Sequence, residues 1–271
     1  MLVRRSCSYR PAAASAFVEG LQARGRFGFA LDKLLAETEL SPAAAVAQLR
    51  RLAPSVTALY PRVRYYLIVP PEHRVIGAPP ITWWIDDFFA AQQEHYYLGL
   101  LTAAAQHGAQ HQVPQVTQVI TGRPRRPIQL GRLKIVFVTK KTVAHTPIIR
   151  VGGGQAPFQM STAEATVLDL VRYPEHSGGV ARTTELIAEL KPKLTVTGFR
   201  RALAAPLETA LLQRTGFLLE ALDMDSQCRL VAAALRDRRL QPTALEIGRP
   251  IATTPRNRWN VQGRLPEATN A

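Results

Sequence analysis

Three short amphipathic stretches are followed at once by two strand-like runs. A proline-rich break comes next, then strands mixed with long apolar helical segments. These observations predict an α/β (α+β) chain: an N-terminal winged helix-turn-helix followed by a larger mixed α/β domain. The expected division is a winged-helix domain over 1–72, a larger domain over 81–262, and a disordered tail over 263–271. With 271 residues the chain is long enough to bury two hydrophobic cores.

The elements follow in order from periodicity and punctuation. Residues 11–24 read as a helix with Phe17, Val18 and Leu21 on one face, broken by Gly25 to Gly28. Residues 30–36 read as a second helix with Leu31, Leu34 and Leu35 inward, and 37–40 as a tight connection. Ser41-Pro42 opens a third helix: serine caps the free N–H groups, and proline suits the first helical position. That helix runs to Ala53 with Val46, Leu49 and Ala53 expected inward, and Pro54 stops it. Val56–Tyr60 and Val63–Val69 read as strands joined by Pro61-Arg62, and 70–80 as a linker. Beyond it, 81–91 reads as an aromatic helix and 94–107 as an apolar helix ended by Gly108. Strands are expected at 116–120 and 133–139, with the basic loop 122–127 between them. Ser161 to Glu164 reads as a capping box opening a helix, and 183–239 as mostly helical.

Charge narrows the function class. Lys and Arg number 34 against 20 Asp and Glu, a net charge of +14. A field of that sign favours polyanions, nucleic acid before an anionic membrane. Through residue 70 the basic residues are Arg4, Arg5, Arg10, Arg24, Arg26, Lys33, Arg50, Arg51, Arg62 and Arg64, against only Glu19, Asp32, Glu37 and Glu39. The excess of arginine over lysine and the abundance of alanine fit a GC-rich bacterial genome. Cys7 and Cys228 form no metal-binding pair, which points to a reducing compartment without structural disulfides. No apolar run is long enough to span a membrane, and none follows Arg4-Arg5 as a secretion signal would require. The expectation is a cytoplasmic protein that binds no cofactor and no membrane.

Helix 41–53 carries the candidate DNA-reading face. Ser41, Ala43, Ala44, Ala47, Gln48 and Arg51 are expected outward; small residues let backbone approach the major groove, Gln48 pairs with adenine edges, and Arg51 with guanine or phosphate. Arg62 and Arg64 at the hairpin are expected to grip phosphate or the minor groove, and Arg4, Arg5, Arg24 and Arg26 to contact phosphates. Arg123, Arg125, Arg126, Arg132 and Lys134 form a second basic stretch, with phosphate contact and a solvated loop both open.

The catalytic readings fail on chemistry. His107 and His111 have zinc-pair spacing, but Gly108 breaks the helix and no glutamate stands as general base. The glycines at 152–154 lack the lysine of a phosphate loop. Asp86 and Asp87 have no partner carboxylate at a telling distance, and Ser177 lacks a nucleophile elbow. The expectation is a non-enzyme with no catalytic residues and no metal.

The runs Tyr96–Ile120, Arg125–Phe137 and Ser161–Gly179 resemble the AbiEi antitoxins of type IV toxin–antitoxin systems, and the resemblance extends from about Ser15 to Trp259. It implies a winged helix-turn-helix joined to an α/β domain. It also implies repression of the protein's own operon through double-stranded DNA, at an inverted repeat in its own promoter. The implied second partner is an AbiEii-like nucleotidyltransferase toxin. The resemblance places DNA contacts on Ser41–Ala53 and near Arg62. This sequence departs from the pattern at Pro54-Ser55, where a glycine usually precedes the wing, and its hairpin turn is short. A stand-alone regulator, a protein-contact antitoxin and a cryptic nuclease or nucleotide-binding enzyme are the other readings.

Overall fold

The computed structural model describes residues 13–60, 64–109, 114–152, 156–253, 255 and 257–264. The chain divides into two compact units: 1–94 with 128–134 and 151–158, and 95–127 with 135–150 and 159–271.

The first unit begins with helix α1 (Ala13–Ala23), whose Ala14, Phe17, Val18 and Leu21 are buried. Strand β1 (Gly28–Ala30) follows, then α2 (Leu31–Thr38) with Leu31 and Leu34 buried. Helix α2 ends on Glu39 in the left-handed region, and α3 (Pro42–Arg51) opens on Ser41, whose hydroxyl accepts from Ala44 N. Strands β2 (Val56–Tyr60) and β3 (Tyr65–Ile68) complete an antiparallel sheet in the order β1-β3-β2. The order α1-β1-α2-α3-β2-β3 is that of a winged helix. The three-residue β1 was not expected; it is too short to show a period of two, and its pairing with β3 is what locks hairpin to helices.

Alternation along β3 gives the sheet two faces. Tyr66 and Ile68 join α1, α2 and α3 in one core, with the Tyr66 ring stacked on Phe29 at 5.7 Å. Tyr65 turns the other way, edge-on to Phe88 at 5.1 Å, in helix α4 (Ile85–Ala91). Residues 70–80 are therefore packed rather than a free linker: Pro70 and Ala78 are buried, and Arg74 donates to Ser55. Arg132 N donates to Ile76 O at 2.9 Å, and Gly131, at φ 54°, sits so close to Ile76 that no side chain fits there.

In the second unit, strand β4 (Tyr96–Leu98) precedes helix α5 (Leu100–Gln106). The expected helix over 94–107 is thus half strand, since Tyr-Tyr-Leu suits a pleated surface better than a helix. Strands β5 (Thr117–Thr121), β7 (Leu133–Thr139), β8 (Ile148–Val151) and β9 (Phe158–Ser161) follow, while β6 (Ile128–Leu130), between β5 and β7 in the chain, belongs to the first unit. The sheet runs β7-β5-β4-β9-β8, with β5 parallel to β7 and antiparallel to β4. Helices α6 (Ala163–Arg172), α7 (Val180–Leu190), α8 (Val196–Leu203), α9 (Thr209–Ala221) and α10 (Asp225–Leu235) build the core with the sheet. A short parallel pair, β10 (Thr243–Ala244) and β11 (Val261–Gln262), closes the unit, with Trp259 buried between. The capping box is not formed as expected. Thr162, not Ser161, caps α6 through Ala165 N, and Glu164 instead accepts from Thr195 N and Oγ1, each at 2.9 Å. The tail expected to be disordered, 263–271, lies outside the described residues from 265 onward.

Candidate nucleic-acid interface

Helix α3 is held by few anchors. Ala45 and Leu49, four residues apart, are its buried positions, with Leu52 half-buried one turn on. This differs from the Val46–Leu49–Ala53 stripe expected: Val46 is half-buried and Ala53 exposed. The helix is rotated accordingly, and its open face carries Ala43, Ala47 and Arg50. These residues, with Val46 and Ala53, form one wall of a groove of about 850 Å³. Thr57 and Ala58 of β2, Tyr66 of β3, and Arg64 form the other wall. Arg64 is exposed with φ 49°, and its carbonyl accepts from Leu31 N at 2.8 Å, tying the hairpin to the start of α2.

The expected reading residues separate into groups. Ala43, Ala47 and Arg64 come together in the groove. Ser41 is exposed but occupied as a helix cap, and Ala44 is half-buried, its N–H donating to that cap. Gln48 turns to the neighbouring helix: its Oε1 accepts from Ala14 N at 3.0 Å, satisfying one of the free N–H groups at the start of α1. Arg51 is exposed but does not line the groove. Arg24 folds back on its own helix, Nε donating to Gly20 O at 2.9 Å. Arg26 is paired through Nη1 with Asp87 Oδ1 at 2.5 Å, which makes Asp87 an ion-pair partner. Arg4, Arg5 and Arg62 lie outside the described residues. Arg50 is the groove cation that sequence reasoning passed over; a stripe anchored on Ala45, Leu49 and Leu52 would have found it.

His107 Nε2 lies 2.9 Å from Ser161 O, while His111 and the glycines at 153–154 lie outside the described residues. The Ser177 hydroxyl is buried, donates to Pro174 O and meets the Thr183 hydroxyl. Arg123, Arg125 and Arg126 each have interaction partners. Among the described residues, no cluster of three or more His, Cys, Asp or Glu is disposed to hold a metal, and no helix is long and apolar enough to cross a membrane.

One buried polar cluster stands out in the second unit. Lys140 Nζ donates to Asp169 Oδ1 at 2.7 Å and to Tyr97 OH at 3.1 Å, and that hydroxyl donates to Asp169 Oδ2 at 2.7 Å. Burial, and then the Asp169 charge, push the Tyr97 hydroxyl well above its ordinary range, so it stays a donor. All three side chains are nearly solvent-free, and every strong acceptor is matched. The cluster is built to hold β4, the end of β7 and α6 together.

Residues 97–221 match the family model of the AbiEi antitoxin C-terminal domain. A comparison with curated proteins returns no match. Among solved structures the chain is similar to the RV2827C protein from Mycobacterium tuberculosis. The two are 17% identical over 87% of this chain and 85% of that one, with a TM-score of 0.56, a likeness of fold.

Proposed function

We propose that this chain, whose residues 97–221 match the AbiEi antitoxin C-terminal domain, is a DNA-binding transcriptional repressor acting as the antitoxin of a type IV system on its own operon. The observation that carries the reading is the α3 face of the first unit. It is a surface helix with alanines at its open positions, standing across a groove from the hairpin, with Arg50 and Arg64 on opposite walls. Small side chains let the helix backbone enter the major groove, and the two guanidiniums clamp a phosphodiester strand between helix and wing. The face offers few base-reading groups, so phosphate contacts supply most of the affinity. The family is not one of enzymes, and the reading requires no catalytic step.

The test is fluorescence anisotropy with the intact protein on duplexes from its own upstream region, with scrambled controls. Tight binding to an inverted repeat that weakens steeply with salt is expected. Equal affinity for scrambled DNA would overturn the repressor assignment. The family match in the second unit favours one further reading, direct neutralisation of a nucleotidyltransferase toxin. Co-purification of the two proteins in high salt supports it, and their separation under those conditions removes it.

A further inference from the structure

The opposite face of the winged-helix sheet holds a feature that DNA binding does not use. Between β1, β3, α2 and α4 lies a recess of about 160 Å³. At about 30 Å³ per water, that is room for about five waters or one small organic molecule. Tyr65 forms its floor. The side chain is 2% exposed, and its hydroxyl is a buried polar atom with no hydrogen-bond partner. The hydroxyl lies over Gly28, another wall, where any side chain would run into it. Burial, and then the Asp87 carboxylate, hold the hydroxyl far above its ordinary range, with Arg26 opposing, so it remains protonated and a donor in need of an acceptor.

The other walls define what could supply that acceptor. Arg26 and Lys33 are cationic, and Asp87 is already engaged with Arg26, so the lining carries one net positive charge. A monoanion neutralises it. Ala30 and Ala91 add an apolar side, while the Phe29 ring faces the helix core on the other side of the sheet. We propose that this recess binds a small organic carboxylate, one oxygen accepting from the Tyr65 hydroxyl, the charge facing Lys33 and Arg26, and a compact apolar body against Ala30 and Ala91. The site stands independently of the DNA reading, because Tyr65 and Tyr66 point to opposite faces of β3 and only Tyr66 lines the α3 groove.

Isothermal titration of the full chain with benzoate, in the absence of DNA, tests the assignment, with inorganic phosphate as the second arm. Benzoate is expected to bind and phosphate not to. Tyr65→Phe keeps the ring and its edge contact with Phe88, so the fold persists, checked by thermal unfolding. Removing the hydroxyl should weaken benzoate by about tenfold or more. Lys33→Ala, at an exposed position, should weaken it severalfold while leaving the unfolding temperature unchanged. No benzoate binding to the unaltered protein, unchanged affinity in Tyr65→Phe, or a preference for phosphate would each overturn the proposal. Unchanged affinity in Lys33→Ala would remove the ammonium from the site as drawn.

Discussion

Helices α3 and α6 are each ten residues long and each opens on a hydroxyl cap, Ser41 in one and Thr162 in the other. They are otherwise opposites. Helix α6 buries every residue from Ala163 to Val171, including Glu164, Thr166 and Asp169. Those polar groups are all satisfied internally: Glu164 by Thr195, Thr166 by Ser161 and by the Thr162 carbonyl, Asp169 by Lys140 and Tyr97. Helix α3 buries only Ala45 and Leu49, and its arginines are exposed. Residues 163–171, buried with their side-chain polar groups matched, have nothing left for a partner; their function is to position others. A helix held by only two buried side chains gives up packing energy and keeps a face free. The difference makes α6 scaffold and leaves α3 the open face that the proposed DNA contact requires.

The largest effect is expected where the scaffold is cut. Asp169→Ala leaves the Lys140 ammonium buried with only the Tyr97 hydroxyl for company. Removing one partner of a buried ion pair costs about 3–5 kcal/mol, read by urea denaturation. Replacing all three members, Lys140→Met with Asp169→Leu and Tyr97→Phe, should recover most of the loss, because apolar groups need no compensation. A loss in Asp169→Ala no larger than that of a surface substitution would mean that the cluster is solvated and that α6 is not the scaffold.

Legibility in the sequence followed the same division of side chains. Helices α1 and α2 are plain because Phe17, Val18, Leu21, Leu31 and Leu34 have one sensible direction, inward. The face of α3 is ambiguous because alanine costs little on either side of a helix: Ala45 is buried while Ala43 and Ala47 are exposed. The expected buried stripe was therefore off by a fraction of a turn, which set Gln48 on the open face and passed over Arg50, while Arg51 is exposed as expected. Strand β1 is too short to carry a period. The Arg26–Asp87 pair spans 61 positions, and no local pattern reports such a contact. The Tyr65 recess is invisible for the same reason, since its walls come from β1, α2, β3 and α4.

A smaller effect separates structural from reading roles within α3. Gln48→Ala removes the acceptor from Ala14 N, which is fully buried at the start of α1. An unsatisfied buried N–H costs about 1–3 kcal/mol, so the unfolding midpoint should fall while preference among DNA sequences stays the same. Gln48→Glu should restore stability, since a carboxylate near a helix N-terminus accepts the same bond and is favoured by the dipole. A shift in sequence preference in Gln48→Ala at unchanged stability would return this residue to the reading face.

The smallest stability effect, and the most direct test of the groove, comes from the two adjacent arginines. Both are exposed, so Arg50→Ala and Arg51→Ala should each change stability by no more than about 0.5 kcal/mol. They differ in direction: Arg50 lines the groove opposite Arg64, and Arg51 does not. Removing a single phosphate-binding cation should lower the slope of log affinity against log salt by about one, uniformly across DNA sequences. Arg50→Ala is expected to do this and Arg51→Ala to do so only weakly, as measured by anisotropy over a salt series. If Arg51→Ala flattens the slope and Arg50→Ala leaves it intact, the DNA lies on the α1 side of α3. The groove between helix and hairpin would then not be the phosphate channel.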